Sequence, residues 1–203
     1  KNDIKHAVVI GASMAGIKVV EVLHKYGIET WLLDLASYIF PLAAYKEVAK
    51  EIEKRVEAQG VHLMFGVTID HMEQENGEKT AVLTDGSRIP ADIVGLCIGT
   101  RAITETVQGE VEIGRGIVVD DHMRTSVPGI YAAGDCCEGN NLESGQNQII
   151  GLWANANHQG ETAGINMAGG DMAYKGNILH NITHFMNMDF IGFGDHRMQG
   201  EIG

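Results

Sequence analysis

The sequence of 203 residues is poor in cysteine, in positive charge and in long apolar runs. Its three cysteines, Cys97, Cys136 and Cys137, form no C-x-x-C motif, which argues against a zinc pattern and against a secreted disulfide framework. The 15 Lys and Arg against 27 Asp and Glu give a net charge of −12, which disfavours a nucleic-acid or anionic-membrane surface. No apolar run could span a bilayer, and we expect no signal peptide. These absences predict a cytoplasmic, reduced protein without nucleic-acid or membrane partners.

Catalytic and metal-binding patterns are also missing. No local Ser-His-Asp arrangement is present, so catalytic residues stay unknown. His180 and His184 have helical spacing, but their segment is predicted to be a strand, and no metal site is expected. The sequence begins with Lys1 rather than Met, so we expect a processed chain or an excised part of a longer protein. The length suffices for one large domain or two small ones.

A glycine-rich turn between two apolar segments is the most informative feature present. A predicted strand at 7–10 leads into Gly11, Ser13 and Gly16, a helical apolar pattern follows, and a second predicted strand at 28–33 ends at Asp34. This order predicts a dinucleotide site. Gly11 permits the tight turn and Gly16 lets the helix pack against the strand. The helix N-terminus then offers free N–H groups to a pyrophosphate.

Two side chains refine this prediction of an NAD(H) site. Ser13 replaces the middle glycine of G-x-G-x-x-G, and its hydroxyl could donate a hydrogen bond to the phosphate. Asp34 is expected to accept hydrogen bonds from both ribose hydroxyls of the adenosine. The predicted contacts are Gly11, Ala12, Ser13, Met14, Ala15, Gly16 and Asp34. The alternative is a βαβ unit whose glycines serve packing only.

The next segments predict the rest of an α/β, Rossmann-like domain. A helix is predicted at 46–58, with Val48, Ile52 and Val56 on its buried face, and a third strand at 61–65. Asn76-Gly77 and Asp85-Gly86 predict the turns of an antiparallel β-meander. A strand at 92–98 then ends at Gly99. We therefore expect a parallel sheet with helices plus the meander.

A second candidate site lies between residues 116 and 170. Strands are predicted at 116–120 and 129–135, and the second ends in Gly134-Asp135, whose carboxylate can accept from a sugar or ribityl hydroxyl. A polar loop at 140–148 precedes a helix predicted at 152–167, with Trp153, Ala156, Ala163 and Met167 among its apolar positions. The start of that helix can direct its N–H groups at the same ligand. Spacing alone leaves open a surface turn with a solvated Asp.

This second segment resembles a flavin-binding motif. The run T-x-x-x-x-[IV]-[YF]-A-x-G-D of the pyridine nucleotide–disulfide oxidoreductase family contacts FAD, and it is matched by Thr125, Ile130, Tyr131, Ala132, Gly134 and Asp135. The resemblance extends over essentially the whole chain, including the turn at 11–16 and the strand end near Gly99. It is strongest for the branch of NADH oxidases, CoA-disulfide reductases and nitrite-reductase-like dehydrogenases. It implies FAD contacts at Gly134, Asp135, Leu152 and Trp153, and a cofactor contact at Gly99.

The resemblance also implies a domain order and a function. We expect an NAD(H)-binding domain at 1–104, the C-terminal half of an FAD-binding domain at 105–173, and the start of an interface domain at 174–203. The family's N-terminal FAD segment is missing, so we expect a fragment that is inactive alone. Its parent would pass hydride from NADH to FAD and then to oxygen, a disulfide or a redox protein, as a homodimer. The alternative is a stand-alone NAD-binding module without turnover.

Two substitutions depart from the family pattern in the nucleotide-binding turn. The family often has an aromatic residue where Met14 stands and a Glu where Lys18 stands. In the family, the aromatic residue shields the flavin and the Glu bonds the nicotinamide amide. A further departure lies near Gly99, where Ala102-Ile103 replaces a Pro-Asn pair.

Overall fold

The computed structural model describes residues 4–194. They form two compact units, one from residues 4–99 with 180–194 and the other from 100–179. The helices and strands, in chain order, are β1 His6–Ile10, α1 Met14–Lys25, β2 Glu29–Asp34, α2 Lys46–Glu57, β3 His62–Phe65, β4 Ile69–Glu75, β5 Glu78–Leu83, β6 Arg88–Pro90, β7 Ile93–Leu96, β8 Gly139–Asn140, β9 Asn147–Gln148, α3 Trp153–Met167, β10 His180–Phe185 and β11 Met188–Phe193. The predicted domain limits remain a prediction about the parent protein.

A parallel sheet of four strands is the centre of the first unit. Its order is β3-β2-β1-β7, and β1 pairs in parallel with both β2 and β7. Val8 and Val9 of β1 are both fully buried, one in each of two apolar clusters that lie against the sheet. Strands buried on both faces are typical of parallel sheets covered by other elements. The predicted βαβαβ order and α/β fold class are confirmed.

The helices of the first unit bury faces that differ from the predicted ones by single residues. In α2, Ile52 and Val56 are buried as expected, but Val48 is 46% exposed and Ala49 is buried instead. In α1, the buried face includes Glu21. An isolated amphipathic helix would not bury a carboxylate. The reason lies in the hairpin of β10 and β11, whose residues contact α1 directly.

The predicted meander is present. Strands β4, β5 and β6 form an antiparallel sheet, and the first turn uses Asn76 at φ 52° and Gly77 at φ 88°. Two consecutive positive φ values are typical of the type I′ turn that Asn-Gly favours. Ala81 and Leu83 of β5 pack with Val8 and Leu33 of the parallel sheet, so the meander covers one face of that sheet.

The second unit has little regular strand structure. The predicted strands at 116–120 and 129–135 are wrong: Ile117 forms isolated bridges with Ile113 and Cys137, and Tyr131 forms one with Arg124. A ladder needs a continuous neighbouring strand, and residues 100–179 supply none for these segments. The loop predicted at 140–148 contains the short antiparallel pair of β8 and β9.

Helix α3 is present as predicted, but two of the four apolar positions named for it are exposed. Ala163 is buried, whereas Trp153 is 82% exposed and Met167 is also exposed. The buried face is largely polar: it consists of Asn155, Gln159, Thr162, Ala163 and Asn166. Such residues can be buried only where hydrogen bonds satisfy them. The helix is therefore held by a polar network.

The strand predicted for the segment of His180 and His184 is confirmed as β10, which pairs antiparallel with β11. Phe185, Met186 and Phe190 join the core of the first unit, where the Phe40 ring lies edge-on to that of Phe185. Residues 195–203 of the predicted interface segment lie outside the described part of the chain. Among the described helices, none combines the length and the apolar character that crossing a bilayer requires.

Candidate functional site

The glycines of the turn after β1 are required by backbone packing. Gly11 has φ +106°, and a Cβ there would lie 2.2 Å from the carbonyl O of Cys97. A Cβ on Gly16 would lie 1.9 Å from the carbonyl O of Gly11. Both positions therefore bring α1 close to the sheet, whether or not a ligand binds. The arguments for a ligand must come from the polar groups around the turn.

Ser13 is the N-cap of α1. Its Oγ accepts from the Gly16 amide at 3.3 Å and donates to the carbonyl O of Cys97 at 3.4 Å. The hydroxyl is therefore engaged by a protein carbonyl here, and its donation to a phosphate stays a prediction. The amides of Met14 and Ala15 have no acceptor within the helix, because they belong to its first turn. Those two N–H groups, with the helix dipole, are the donors that an anion would meet.

Asp34 lies beside the same turn, as predicted. Its Oδ2 accepts from the Ala12 amide at 2.7 Å and its Oδ1 accepts from the Ala36 amide at 2.8 Å. These bonds fix the carboxylate between the end of β2 and the glycine-rich turn. A carboxylate offers about four lone-pair positions, so about two remain for further donors such as ribose hydroxyls.

The end of β7 completes this edge of the sheet. The strand ends at Leu96, two residues before the predicted end, but the Cys97 amide still donates to the carbonyl O of Ile10 at 2.7 Å. Burial raises the pKa of the Cys97 thiol, and the side chain packs against the core, as expected for a structural cysteine. Gly99 is exposed at φ +101° and continues the chain away from the strand.

Lys18 has a role that the sequence did not reveal. Its Nζ donates to Glu21 Oε2 at 2.5 Å and to the carbonyl O of His184 at 2.6 Å. Glu21 also accepts from the Met186 amide at 3.0 Å and pairs with Lys25 at 3.4 Å. The Lys18 hydrogen bond is the main reason that the pKa of Glu21 falls to about 2. Helical spacing between Glu21 and both lysines was the available signal.

The second unit brings its predicted FAD residues together. Gly134 has φ +83°, and the exposed Asp135 follows it. Gly151 lies against that carboxylate, since a Cβ built on it would be 3.7 Å from Asp135 Oδ2. Leu152 is the N-cap of α3 and provides no side-chain hydrogen bond, and Trp153 is exposed. The first-turn amides of α3 therefore have no side-chain cap and lie at the segment that meets Asp135.

The adjacent cysteines of this unit are structural. Cys137 is 1% exposed, and burial is the main cause that raises its pKa to about 12. Its Sγ donates to the carbonyl O of Gly134 at 3.4 Å, and all three cysteines are free. A buried thiol with a raised pKa is a poor nucleophile. Packing therefore fits the environment of Cys137 better than redox chemistry does.

One cluster of potential metal ligands was not anticipated. Asp120, Asp121 and His122 place ligand atoms within 4.8 Å of one another. The His122 ring already contacts Asp121 at 2.6 Å and Asp171 at 2.9 Å, and the Asp121 hydrogen bond is the main reason that its pKa is raised. Exposed acidic clusters of this kind are common without a bound ion. We assign no function to it.

Comparison with known proteins identifies the class of this fold and site. The model of the pyridine nucleotide-disulphide oxidoreductase family matches residues 1–160. An NADH oxidase of Enterococcus faecalis is 32% identical over 177 residues, which cover 86% of this chain and 40% of the relative. The chain belongs to the pyridine nucleotide-disulphide oxidoreductase family.

Solved structures agree with this assignment. The water-forming NADH oxidase from Lactobacillus brevis, bound to NADH, has a TM-score of 0.89 and 27% identity, covering 95% of this chain and 43% of that one. An engineered NADPH oxidase derived from that enzyme has a TM-score of 0.87 and 26% identity, covering 93% and 42%. The names of these relatives give NADH or NADPH as their coenzyme. This chain spans about two fifths of the length of the relatives it matches.

Proposed function

We propose that this chain is the NAD(H)-binding portion of an FAD-dependent oxidoreductase. Residues 105–173 supply the C-terminal half of the FAD-binding domain, and an N-terminal segment of the parent supplies the other half. The parent passes hydride from NADH to FAD and then to oxygen, a disulfide or a redox protein. The observation that carries this proposal is the position of Asp34, whose carboxylate is held at the glycine-rich turn by the Ala12 amide.

The groups around the turn fit an adenosine diphosphate. The amides of Met14 and Ala15 at the start of α1 face the place where a pyrophosphate would lie. Asp34 retains acceptor positions for the ribose. Gly11 and Gly16 keep the backbone free of side chains there. Amide donors beside a carboxylate acceptor recognise an anionic part and a hydroxyl-bearing part of the same ligand.

Asp34 favours NADH over NADPH. The engineered NADPH oxidase carries substitutions of a glycine, an aspartate and a proline that are spaced as Gly16, Asp34 and Pro41 are here. In that protein the aspartate became alanine and two arginines were introduced. Residues 35–42 here contain no Lys or Arg, and Lys46 is the first cation after Asp34. The 2′-phosphate of NADPH would lie beside the Asp34 carboxylate, and residues 35–42 would supply no Lys or Arg to offset its charge.

The second unit fits part of an FAD site. Asp135 is exposed and lies against Gly151, so a ligand that bonds its carboxylate also reaches the start of α3. Bound FAD would supply the two-electron chemistry of the parent. When FAD is bound, Asp135 would accept from its sugar hydroxyls, and the first-turn amides of α3 would donate to an acceptor edge of the flavin. We propose Leu152 and Trp153 as the contacts at that edge.

The absorbance of purified protein tests this function. We expect the 203-residue chain to bind NADH with a change in NADH fluorescence and to retain little FAD after gel filtration, because half of a site loses its pyrophosphate anchor. We expect the longer parent to be yellow and to oxidise NADH. A parent that carries no flavin would contradict the proposal.

A stand-alone NAD-binding module is the second candidate. It is favoured by one observation, which is that the first unit alone contains all seven predicted NAD(H) contacts. The module predicts NADH binding in a natural protein that has no flavin. This candidate therefore predicts the same NADH titration for this chain, but it predicts that the natural protein is colourless.

Two further properties belong to the proposal for the parent. Three free cysteines fit a reducing, cytoplasmic location. The resemblance of residues 174–194 to an interface domain favours a homodimer of the full-length protein. Sedimentation of the parent at several concentrations tests the dimer, and a monomer throughout would contradict it.

A further inference from the structure

A side chain of α3 is hydrogen-bonded to the turn that carries Asp135. Gln159 is 1% exposed, and its Oε1 accepts from the Gly134 amide at 2.8 Å and from Cys137 Sγ at 3.6 Å. Gly139 leaves room for this amide, since a Cβ there would lie 2.3 Å from Gln159 Nε2. The backbone immediately before Asp135 is therefore fixed to the second turn of α3.

A second buried amide holds the segment that leads into α3. Asn155 is fully buried, and its Nδ2 donates to the carbonyl O of Ile150 at 3.0 Å. Its Oδ1 accepts from Asn177 Nδ2 at 3.4 Å. Ile150 lies two residues before the N-cap Leu152, so this bond fixes the approach of the chain to the helix start.

Tyr174 joins these two anchors. Its hydroxyl donates to Asn155 Oδ1, and both this hydroxyl and the side-chain amide of Gln159 lie against Gly139. The ring is buried, and burial is the main cause that raises the pKa of Tyr174 to about 12. The result is one connected series of side-chain contacts from the Gly134 amide to the Ile150 carbonyl O.

We propose that Asn155, Gln159 and Tyr174 are positioning residues for FAD, which set the Asp135 turn in register with the start of α3. This proposal rests on the proposed flavin function of the second unit. None of the three acts on the ligand directly: Gln159 and Asn155 bond backbone groups at the site, and Tyr174 acts through the Asn155 side chain. The register matters because one ligand must meet the carboxylate and the helix amides at the same time.

Burying these polar side chains costs free energy, so the network is worth keeping only where it fixes a specific arrangement. Burying three polar side chains is no more stabilising than an apolar core of similar volume. Fully satisfied, however, such networks fix one arrangement of the groups they connect. Here the network connects the two segments to which the FAD contacts are assigned, the turn at 134–135 and the helix start at 152–153, which is why we infer a positioning role.

Substitutions in the FAD-loaded parent test the inference. Gln159→Met keeps the volume but removes the acceptor of the Gly134 amide. Tyr174→Phe removes only the connecting hydroxyl, and it carries the test if Gln159→Met does not fold. Thr162→Val is the matched control, because Thr162 is also a buried residue of α3 but its Oγ1 donates to the carbonyl O of His158 at 2.8 Å, within the helix.

The readouts are the Kd for FAD, the visible circular dichroism of bound flavin and the melting temperature. We expect Gln159→Met to raise the Kd about tenfold and Tyr174→Phe to raise it about threefold, with altered flavin dichroism even at saturation. Thr162→Val should stay within about twofold and keep the wild-type spectrum, although it also loses stability.

Two results would overturn the inference, and they are distinguishable. If Gln159→Met and Tyr174→Phe weaken FAD no more than a control of equal melting temperature, the network is structural only. If the wild-type parent binds no FAD, the proposed function fails and the inference fails with it. NADH affinity, which belongs to the first unit, should be unchanged in all three variants.

Discussion

Replacing Asp34 by Asn should reduce the preference for NADH over NADPH. At about 4 Å and an effective dielectric constant near 20, each pair of like charges between the Asp34 carboxylate and a 2′-phosphate costs roughly 4 kcal/mol. Solvent and ions reduce this to about 1–3 kcal/mol, or roughly 5- to 150-fold in affinity. We therefore expect wild-type protein to prefer NADH by at least about tenfold.

The structure also determines what the substitution removes. Asp34 accepts from the Ala12 and Ala36 amides through different oxygens. Asn retains one acceptor oxygen, so one of these amides loses its partner, and the ribose loses a charged acceptor. We expect NADH to bind about tenfold more weakly, while NADPH binding changes less because the repulsion disappears as well.

Calorimetric titrations with both coenzymes measure this effect. Asp70→Asn is the control, because Asp70 is exposed on the meander and its substitution removes the same unit of charge. It should leave both affinities within about twofold. Equal NADH and NADPH affinities in the wild-type protein would show that Asp34 does not meet the ribose and would refute this reasoning.

Two predictions concern the stability of the first unit. Gly11→Ala should lower the free energy of unfolding by more than about 3 kcal/mol, because its Cβ would lie 2.2 Å from the Cys97 carbonyl O, whereas Gly60→Ala, with φ +89° and nothing within 4 Å, should cost only about 1–2 kcal/mol. Urea unfolding of both variants checks this, and equal losses would contradict it. Glu21, whose pKa is lowered to about 2, should stabilise the fold above pH 4.5 by up to about 3 kcal/mol and lose this contribution as the pH falls toward 2. Glu21→Gln should flatten the dependence of the unfolding free energy on pH between those values, and an unchanged pH dependence would argue against the ion pairs of Glu21 with Lys18 and Lys25.

The first unit was largely predictable because local signals agree there. Glycine turns, Asn76-Gly77 and runs of apolar residues each specify one backbone conformation. The order of β1, α1 and β2 and the position of Asp34 followed from them. Glu21 did not, because its burial depends on Lys18 and on a hairpin that lies far away in sequence.

The second unit was less predictable for physical reasons. Residues 129–135 have an apolar pattern that favours a strand, but a strand needs a partner, and residues 100–179 provide only an isolated bridge at Tyr131. In α3, apolar periodicity does not identify the buried face, because that face contains Asn155 and Gln159, which are buried through hydrogen bonds. The spacing of polar residues carries no comparable signal unless their partners are known.

Nuclear magnetic resonance of the 15N-labelled chain during titration with NADH locates the coenzyme most directly. If NADH binds at the glycine-rich turn, the largest amide shifts should fall at residues 11–16 and 34–36, including Met14 and Ala15. The amides of the meander at 69–90 should move little. Saturable shifts confined to other parts of the chain, or no shifts at millimolar NADH, would contradict an NAD(H) site at Asp34.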